Sequence, residues 1–144
     1  MKRIHILLAE DNLGDIILIR EAFGERNLID RISVVKDGKQ ALEFIYKDGK
    51  YANAETPDLI ILDINLPKIN GLEVLKKIKK SKDLKKIPVI MLTSSSSQKD
   101  INESYDNYAN CFITKPDDVD DFLKAINGIE DFWINIGSLP VVEY

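Results

Sequence analysis

Residues 59–67 read Leu59-Ile60-Ile61-Leu62-Asp63-Ile64-Asn65-Leu66-Pro67. Four consecutive apolar side chains without polar alternation predict a short strand buried on both faces. A carboxylate stands where the run stops, and a proline follows that a central strand could not hold. Similar runs rich in Ile, Val and Leu occur at 4–9, 32–35, 89–92 and 111–113. Between them lie apolar residues at helical spacing: Ile16, Ile19 and Phe23; Leu42 and Ile45; Val74, Leu75 and Ile78; Ile101, Ser104 and Tyr105; then Val119, Phe122, Leu123, Ile126 and Trp133. Strand and helix alternate five times. That alternation requires parallel strands joined by right-handed crossovers, so the expected architecture is α/β, a doubly wound five-stranded parallel sheet with helices on both faces.

Turn chemistry supports these boundaries. Asp37-Gly38, Asp48-Gly49 and Asn70-Gly71 are turn pairs, and Pro57, Pro67, Pro88 and Pro116 sit where a run changes character. The run Thr93, Ser94, Ser95, Ser96 and Ser97 reads as a loop entering a helix, with one serine as its N-cap.

Composition bounds the function. The 144 residues carry 24 acidic and 20 basic side chains, net −4, and 44% are apolar, which fits one globular domain with one core. An acidic balance argues against a general grip on nucleic acid or anionic lipid. The apolar run 6–9 is too short for a signal peptide or membrane span. One cysteine, Cys111, allows no internal disulfide, in keeping with a cytoplasmic location, and one histidine with one cysteine makes no typical zinc site.

In a sheet of this kind ligands bind outside the carboxyl ends of the strands. The first strand ends in Glu10-Asp11-Asn12, the third in Asp63 with Asn65 two residues on, the fourth in Thr93 and the fifth in Lys115-Pro116. Neighbouring carboxylates repel one another unless a cation lies among them. Mg²⁺ suits two carboxylates, a backbone carbonyl and waters, whereas calcium would want more protein oxygens. A lysine and a threonine opposite would suit an anion on that metal. A metal with an anion clamp points to phosphoryl chemistry, in which an aspartate can itself be the nucleophile. Asp63, on a central strand, is the best placed.

Taken together, Glu10-Asp11-Asn12, the stretch from Asp63 to Gly71, Thr93 and Lys115-Pro116 resemble the receiver domains of two-component response regulators over about residues 4–133. The resemblance implies a flavodoxin-like fold with strand order 2-1-3-4-5. It implies that Asp63 is the phosphoacceptor for a histidine on a partner kinase. Glu10, Asp11, Asp63 and the backbone carbonyl of Asn65 would hold Mg²⁺, with Glu10 acting through water. Thr93 and Lys115 would bind phosphoryl oxygens, and Thr93 with Phe112 would form the switch. The Lys115-Pro116 peptide would be cis. Residues 46–54, 105–111 and Phe132-Trp133 are similar to stand-alone receivers partnered with phytochrome-type or other sensor histidine kinases, although Leu13-Gly14 stand where that subgroup often has a proline after Asn12. Residues 1–136 would then be the receiver and 137–144 a short tail with no output domain. Output would pass to a separate downstream protein, or to a second copy docking on the apolar segment 132–136.

Plainer readings exist. Glu10 and Asp11 could merely open a helix, Thr93 could be an ordinary loop residue, and Phe112 could be core; it is their joint occurrence that carries the functional reading. His5 reads as structural, Cys111 as an inert thiol, and the lysines at 76, 77, 79, 80, 82, 85 and 86 as a solvated face or a dock for an acidic partner. A Mg²⁺-dependent phosphohydrolase passing through an aspartyl phosphate is the main rival. Such enzymes usually carry a second aspartate two residues after the nucleophile on the first strand, and a cap; Leu13 occupies that position here. A flavin module would need a Ser/Thr/Gly-rich phosphate loop in place of Glu10-Asp11, and no P-loop pattern occurs.

Overall fold

A computed structural model describes residues 4–26 and 28–142; residues 1–3 and 143–144 of the expected receiver and tail lie outside them. Five strands, β1 (His5–Ala9), β2 (Arg31–Val35), β3 (Leu59–Leu62), β4 (Val89–Thr93) and β5 (Cys111–Thr114), form one parallel sheet in the order β2-β1-β3-β4-β5. Register is set by pairs such as Leu7↔Ile60, Ile61↔Ile90 and Met91↔Phe112. The five-stranded α/β architecture is as the sequence pattern implied, and the flavodoxin-like order is as the family resemblance implied.

Five helices connect and cover the strands: α1 (Leu13–Gly24), α2 (Gly38–Tyr46), α3 (Gly71–Lys80), α4 (Gln98–Asp106) and α5 (Val119–Ile129), the last continuing into a π-helical segment Glu130–Ile136. Each starts on a side-chain cap. Asn12, Asp37, Asn70, Ser97 and Asp118 accept from the backbone N–H of Asp15, Gln40, Leu72, Asp100 and Asp121, respectively. Each cap satisfies a backbone donor that the first turn leaves orphaned.

Two cores flank the sheet. Leu7, Ala9, Ile60, Leu62, Val89 and Met91 face α2 and α3, while Ile6, Leu8, Leu59, Ile61, Ile90 and Leu92 face α1 and α5. This is the strand's twofold alternation, with both faces apolar because both are covered. The central strands β1, β3 and β4 are buried throughout. Burial on both faces fails for β2 and β5, which are half-exposed edge strands with neighbours on one side only. Helix α4 also departs from expectation: only Ser104 is buried, and Tyr105 lies largely outside. Val119, read as core-facing, is likewise exposed at the first turn of α5. His5 is a buried structural residue, its Nε2 2.8 Å from Ser33 Oγ; burial, aided by the Arg31 charge, lowers its pKa. Among the described residues no helix is long and apolar enough to cross a membrane.

Candidate functional site

The carboxyl ends of β1, β3, β4 and β5 converge on one edge of the sheet. Parallel pairing fixes this: Glu10 follows β1 with its N–H on the Val35 carbonyl (3.0 Å), and Asp63 follows β3 with its N–H on the Ala9 carbonyl (3.1 Å). Glu10, Asp11 and Asp63 each offer a carboxylate oxygen, all within 4.8 Å of one another. Glu10 and Asp63 are buried, whereas Asp11 is exposed at the mouth.

Lys115 closes the cluster from β5. Its Nζ lies 2.6 Å from Glu10 Oε1, 2.9 Å from Asp15 Oδ2 and 3.2 Å from Asp63 Oδ2, with a side chain only 8% exposed. Burial alone would lower the pKa of this ammonium. Its hydrogen bonds to Glu10 and Asp15, with the charges of Glu10 and Asp63, outweigh burial and raise it. For Glu10 burial wins, lifting the carboxyl to about 7 with help from Asp63, against the Lys115 ammonium and the Asn12 N–H. Glu10 Oε2 accepts from the backbone N–H groups of Asp11 and Asn12, each at 3.1 Å, so the carboxylate is held from both sides.

The expected cis peptide is absent. No cis bond occurs among the described residues, so Lys115-Pro116 is trans, the form X–Pro bonds favour by default. The lysine is aimed by other means: its backbone N–H donates to the Thr93 carbonyl at 2.7 Å, and three acids hold its head.

The Asp63 loop is shaped by two devices. The Asn65 N–H donates to Asp63 Oδ1 at 3.3 Å. Gly71 opens α3 against that loop so closely that a Cβ there would stand 1.9 Å from the Asp63 carbonyl oxygen. Only glycine permits this approach.

Thr93 is fully buried at the end of β4, paired in register with Thr114, and its Oγ1 accepts from the Ser95 N–H at 3.4 Å. Ser95 anchors the following loop: its Oγ donates to Asp100 Oδ2 at 2.6 Å, and its carbonyl accepts from Thr114 Oγ1 at 3.0 Å. Phe112, two residues before Thr114 on β5, packs half-buried against the same core as Met91, on Thr93's face of the sheet. Cys111 on the opposite face is only half-buried, and burial raises its pKa, so it remains a thiol.

The structure thus brings Glu10, Asp11, Asp63, Asn65, Thr93 and Lys115 to one edge. It adds Asp15, which sequence reading missed. A first-turn acid on α1 looks like any carboxylate favoured at the positive end of a helix. The only hint was its place three residues after the Asn12 cap, on the turn facing the strand ends. No cap region covers the cluster among the described residues, unlike the rival phosphohydrolase.

Comparisons with known proteins agree. The response regulator receiver domain family matches residues 6–127. Response regulator Rcp1 of Synechocystis sp. is 41% identical over 135 residues, 94% of this chain and 92% of that protein. The structure of the phosphorylated cyanobacterial phytochrome response regulator RcpA is similar with a TM-score of 0.94 and 43% identity, covering 97% of this chain and all of that one. The Mn²⁺-bound form of Rcp1 gives 0.93 and 40%, covering 95% and 99%. The chain therefore belongs to the response regulator receiver domain family of two-component signalling.

Proposed function

We propose that Asp63 accepts a phosphoryl group from a phosphohistidine of a partner sensor kinase, and that the resulting acyl phosphate switches a protein–protein contact. The observation that carries this is the convergence of Glu10, Asp11 and Asp63 with one buried ammonium, Lys115. An Asp63 carboxylate oxygen attacks phosphorus, the P–N bond to the histidine breaks, and the imidazole nitrogen keeps the electron pair and takes up a proton. Lys115 meets the phosphoryl oxygens with its ammonium, and Thr93 donates its hydroxyl. These groups supply position and charge, which is most of what phosphoryl transfer needs.

The donor set fits a hard divalent cation, because it consists of three carboxylates whose oxygens lie within 4.8 Å of one another. Asp11, Asp63, the Asn65 carbonyl and, through water, Glu10 would hold Mg²⁺, which when bound would neutralise the phosphoryl oxygens. The Mn²⁺-bound form of the relative Rcp1 supports a divalent ion here.

Phosphorylation adds about −1.5 to −2 charges and three acceptors. Drawing the Thr93 hydroxyl toward them breaks its contact with the Ser95 N–H, and the Ser95 loop is tied to β5 through Thr114. Phe112 shares that face and repacks with it. The output surface is then α4, β5 and α5. Residues 1–136 act as the receiver and 137–144 as the segment after it, and the signal passes by contact with a downstream protein in the cytoplasm. RcpA, a phytochrome response regulator, makes a phytochrome-type kinase the favoured donor. A second copy is a further candidate partner, since Phe132 and Ile136 are 61% and 76% exposed on the π-helical segment.

Intact mass after incubation with Mg²⁺ and a small-molecule phosphodonor tests the core of this reading. Wild type gains one phosphoryl group and Asp63→Asn gains none. Equal gain in both, or none in wild type, removes Asp63 from its role.

A further inference from the structure

At the opposite edge of the sheet from Asp63, the end of α3 and the segment leading into β4 meet the end of α4 across an open groove of about 730 Å³. Lys79, Lys85, Lys86, Tyr105, Tyr108 and Asn110 line it. No carboxylate does, among the described residues, although the chain as a whole carries net −4.

The groove is built and held. Lys79 is not free: its ammonium donates to the carbonyls of Lys85 (3.0 Å) and Ile87 (2.8 Å) and to Asn110 Oδ1 (3.0 Å), stitching the floor together. Asn110 Oδ1 also accepts from the Val89 N–H. The Tyr105 hydroxyl accepts from the Phe112 N–H at 3.1 Å, fixing that wall to β5. Lys85 and Lys86 remain exposed at the rim.

A second, independent observation comes from the end of α4. The Ala109 N–H bonds to the Ser104 carbonyl and the Tyr108 N–H to the Tyr105 carbonyl, the paired bonds of a Schellman cap. That cap places its next residue in the left-handed region, where glycine is the usual choice. Here it is Tyr108, at φ +68°. A bulky residue there is strained. The strain gains no burial, because Tyr108 is 74% exposed and Tyr105 48%. Exposed tyrosine rings match a residue type that anchors protein interfaces, and the exposed ammoniums of Lys85 and Lys86 stand on the rim of the same groove. The groove is too open to enclose a small ligand, which normally has most of its surface covered.

We propose that this groove docks an acidic segment of a partner protein carrying one aromatic or large apolar anchor. The anchor lies on the rings of Tyr108 and Tyr105, while flanking carboxylates pair with Lys85 and Lys86.

Amide-resolved NMR titration of the full chain with a synthetic acidic octapeptide bearing one central tryptophan tests this. Saturable shifts should cluster at Tyr105, Tyr108, Ala109 and Asn110. Lys85→Glu with Lys86→Glu should weaken binding at least tenfold. Lys76→Glu with Lys77→Glu makes the same charge change outside the groove and should leave it within twofold. Tyr108→Gly relieves the left-handed strain, so its melting temperature should rise while binding falls at least fivefold, which separates docking from folding. Equal weakening by the two lysine pairs, unchanged binding by Tyr108→Gly, or tighter binding of a single-stranded oligonucleotide to the same groove would overturn the proposal.

Discussion

Replacing Lys115 by methionine removes the charge and keeps most of the apolar stem of the side chain. The ammonium lies 2.6, 2.9 and 3.2 Å from three carboxylates, two of them buried. At an effective dielectric of about 20, each contact corresponds to about 5–6 kcal/mol of direct attraction. Most of that offsets the desolvation of the four groups and the repulsion among the acids. Removing one partner of such a buried set leaves charges uncompensated, and the net loss should be about 3–5 kcal/mol. With a urea slope of about 2 kcal/mol per molar, the unfolding midpoint should fall by about 2 M. Urea titration in EDTA, followed by far-ultraviolet circular dichroism, measures this. Added Mg²⁺ should recover more stability in the variant than in wild type, because a divalent cation takes up the charge position the ammonium leaves and no longer competes with it. A loss under about 1 kcal/mol in EDTA, or a deficit that Mg²⁺ leaves unchanged, would refute the idea that Lys115 neutralises this cluster.

Three further outcomes follow from the geometry. Gly71→Ala should cost at least about 2 kcal/mol and slow phosphorylation, since its Cβ would meet the Asp63 carbonyl at 1.9 Å; a melting temperature equal to wild type would contradict the close approach. Burial lowers Lys79 from 10.5 to about 8, so between those values the unfolded chain holds a proton the folded chain has lost. Wild-type stability should therefore rise as pH climbs from about 8 toward 10.5, by an amount that the three oxygen acceptors of the ammonium and solvent screening of this half-exposed group reduce. Lys79→Met should lack that rise, and identical slopes would exclude the mechanism. Ser95→Ala, which loses the bonds to Asp100 and to the Ser97 N–H, should cost about 1 kcal/mol and alter the acyl-phosphate lifetime followed by mass decay; no change in either would discount the loop's part.

The architecture was legible because β1, β3 and β4 are buried on both faces and so appear as unbroken apolar runs. The edges were not, since a run such as 111–113 is equally apolar whether one or two strands flank it. Strand order came with the family resemblance, because periodicity carries no information about neighbours. Among site residues, those directly after strands could be placed from topology alone. Asp15 could not, being a helix residue whose partner lies across the sheet. Lys79 was absorbed into the solvated lysine face, although it stands four residues after buried Leu75 and so extends that helix's inner stripe. An ammonium with three backbone and amide acceptors folds over the core edge; its sequence letter could not say so. The cis peptide was a family expectation that this chain meets differently, by holding the lysine head with acids.

Lys115 also has a mechanical meaning. It leaves the sheet from β5, passes the end of β4, and reaches groups following β3 and β1 as well as α1. One side chain thus laces four adjacent strands along a single rim, where backbone ladders join only nearest neighbours. Prying the edge strand away from that rim means unfastening three ionic contacts together, whereas at the other end the same strand is tied by neutral and charge-assisted hydrogen bonds among Asn110, Val89, Lys79 and Tyr105. The sheet is a ribbon clasped along one border by a single ammonium.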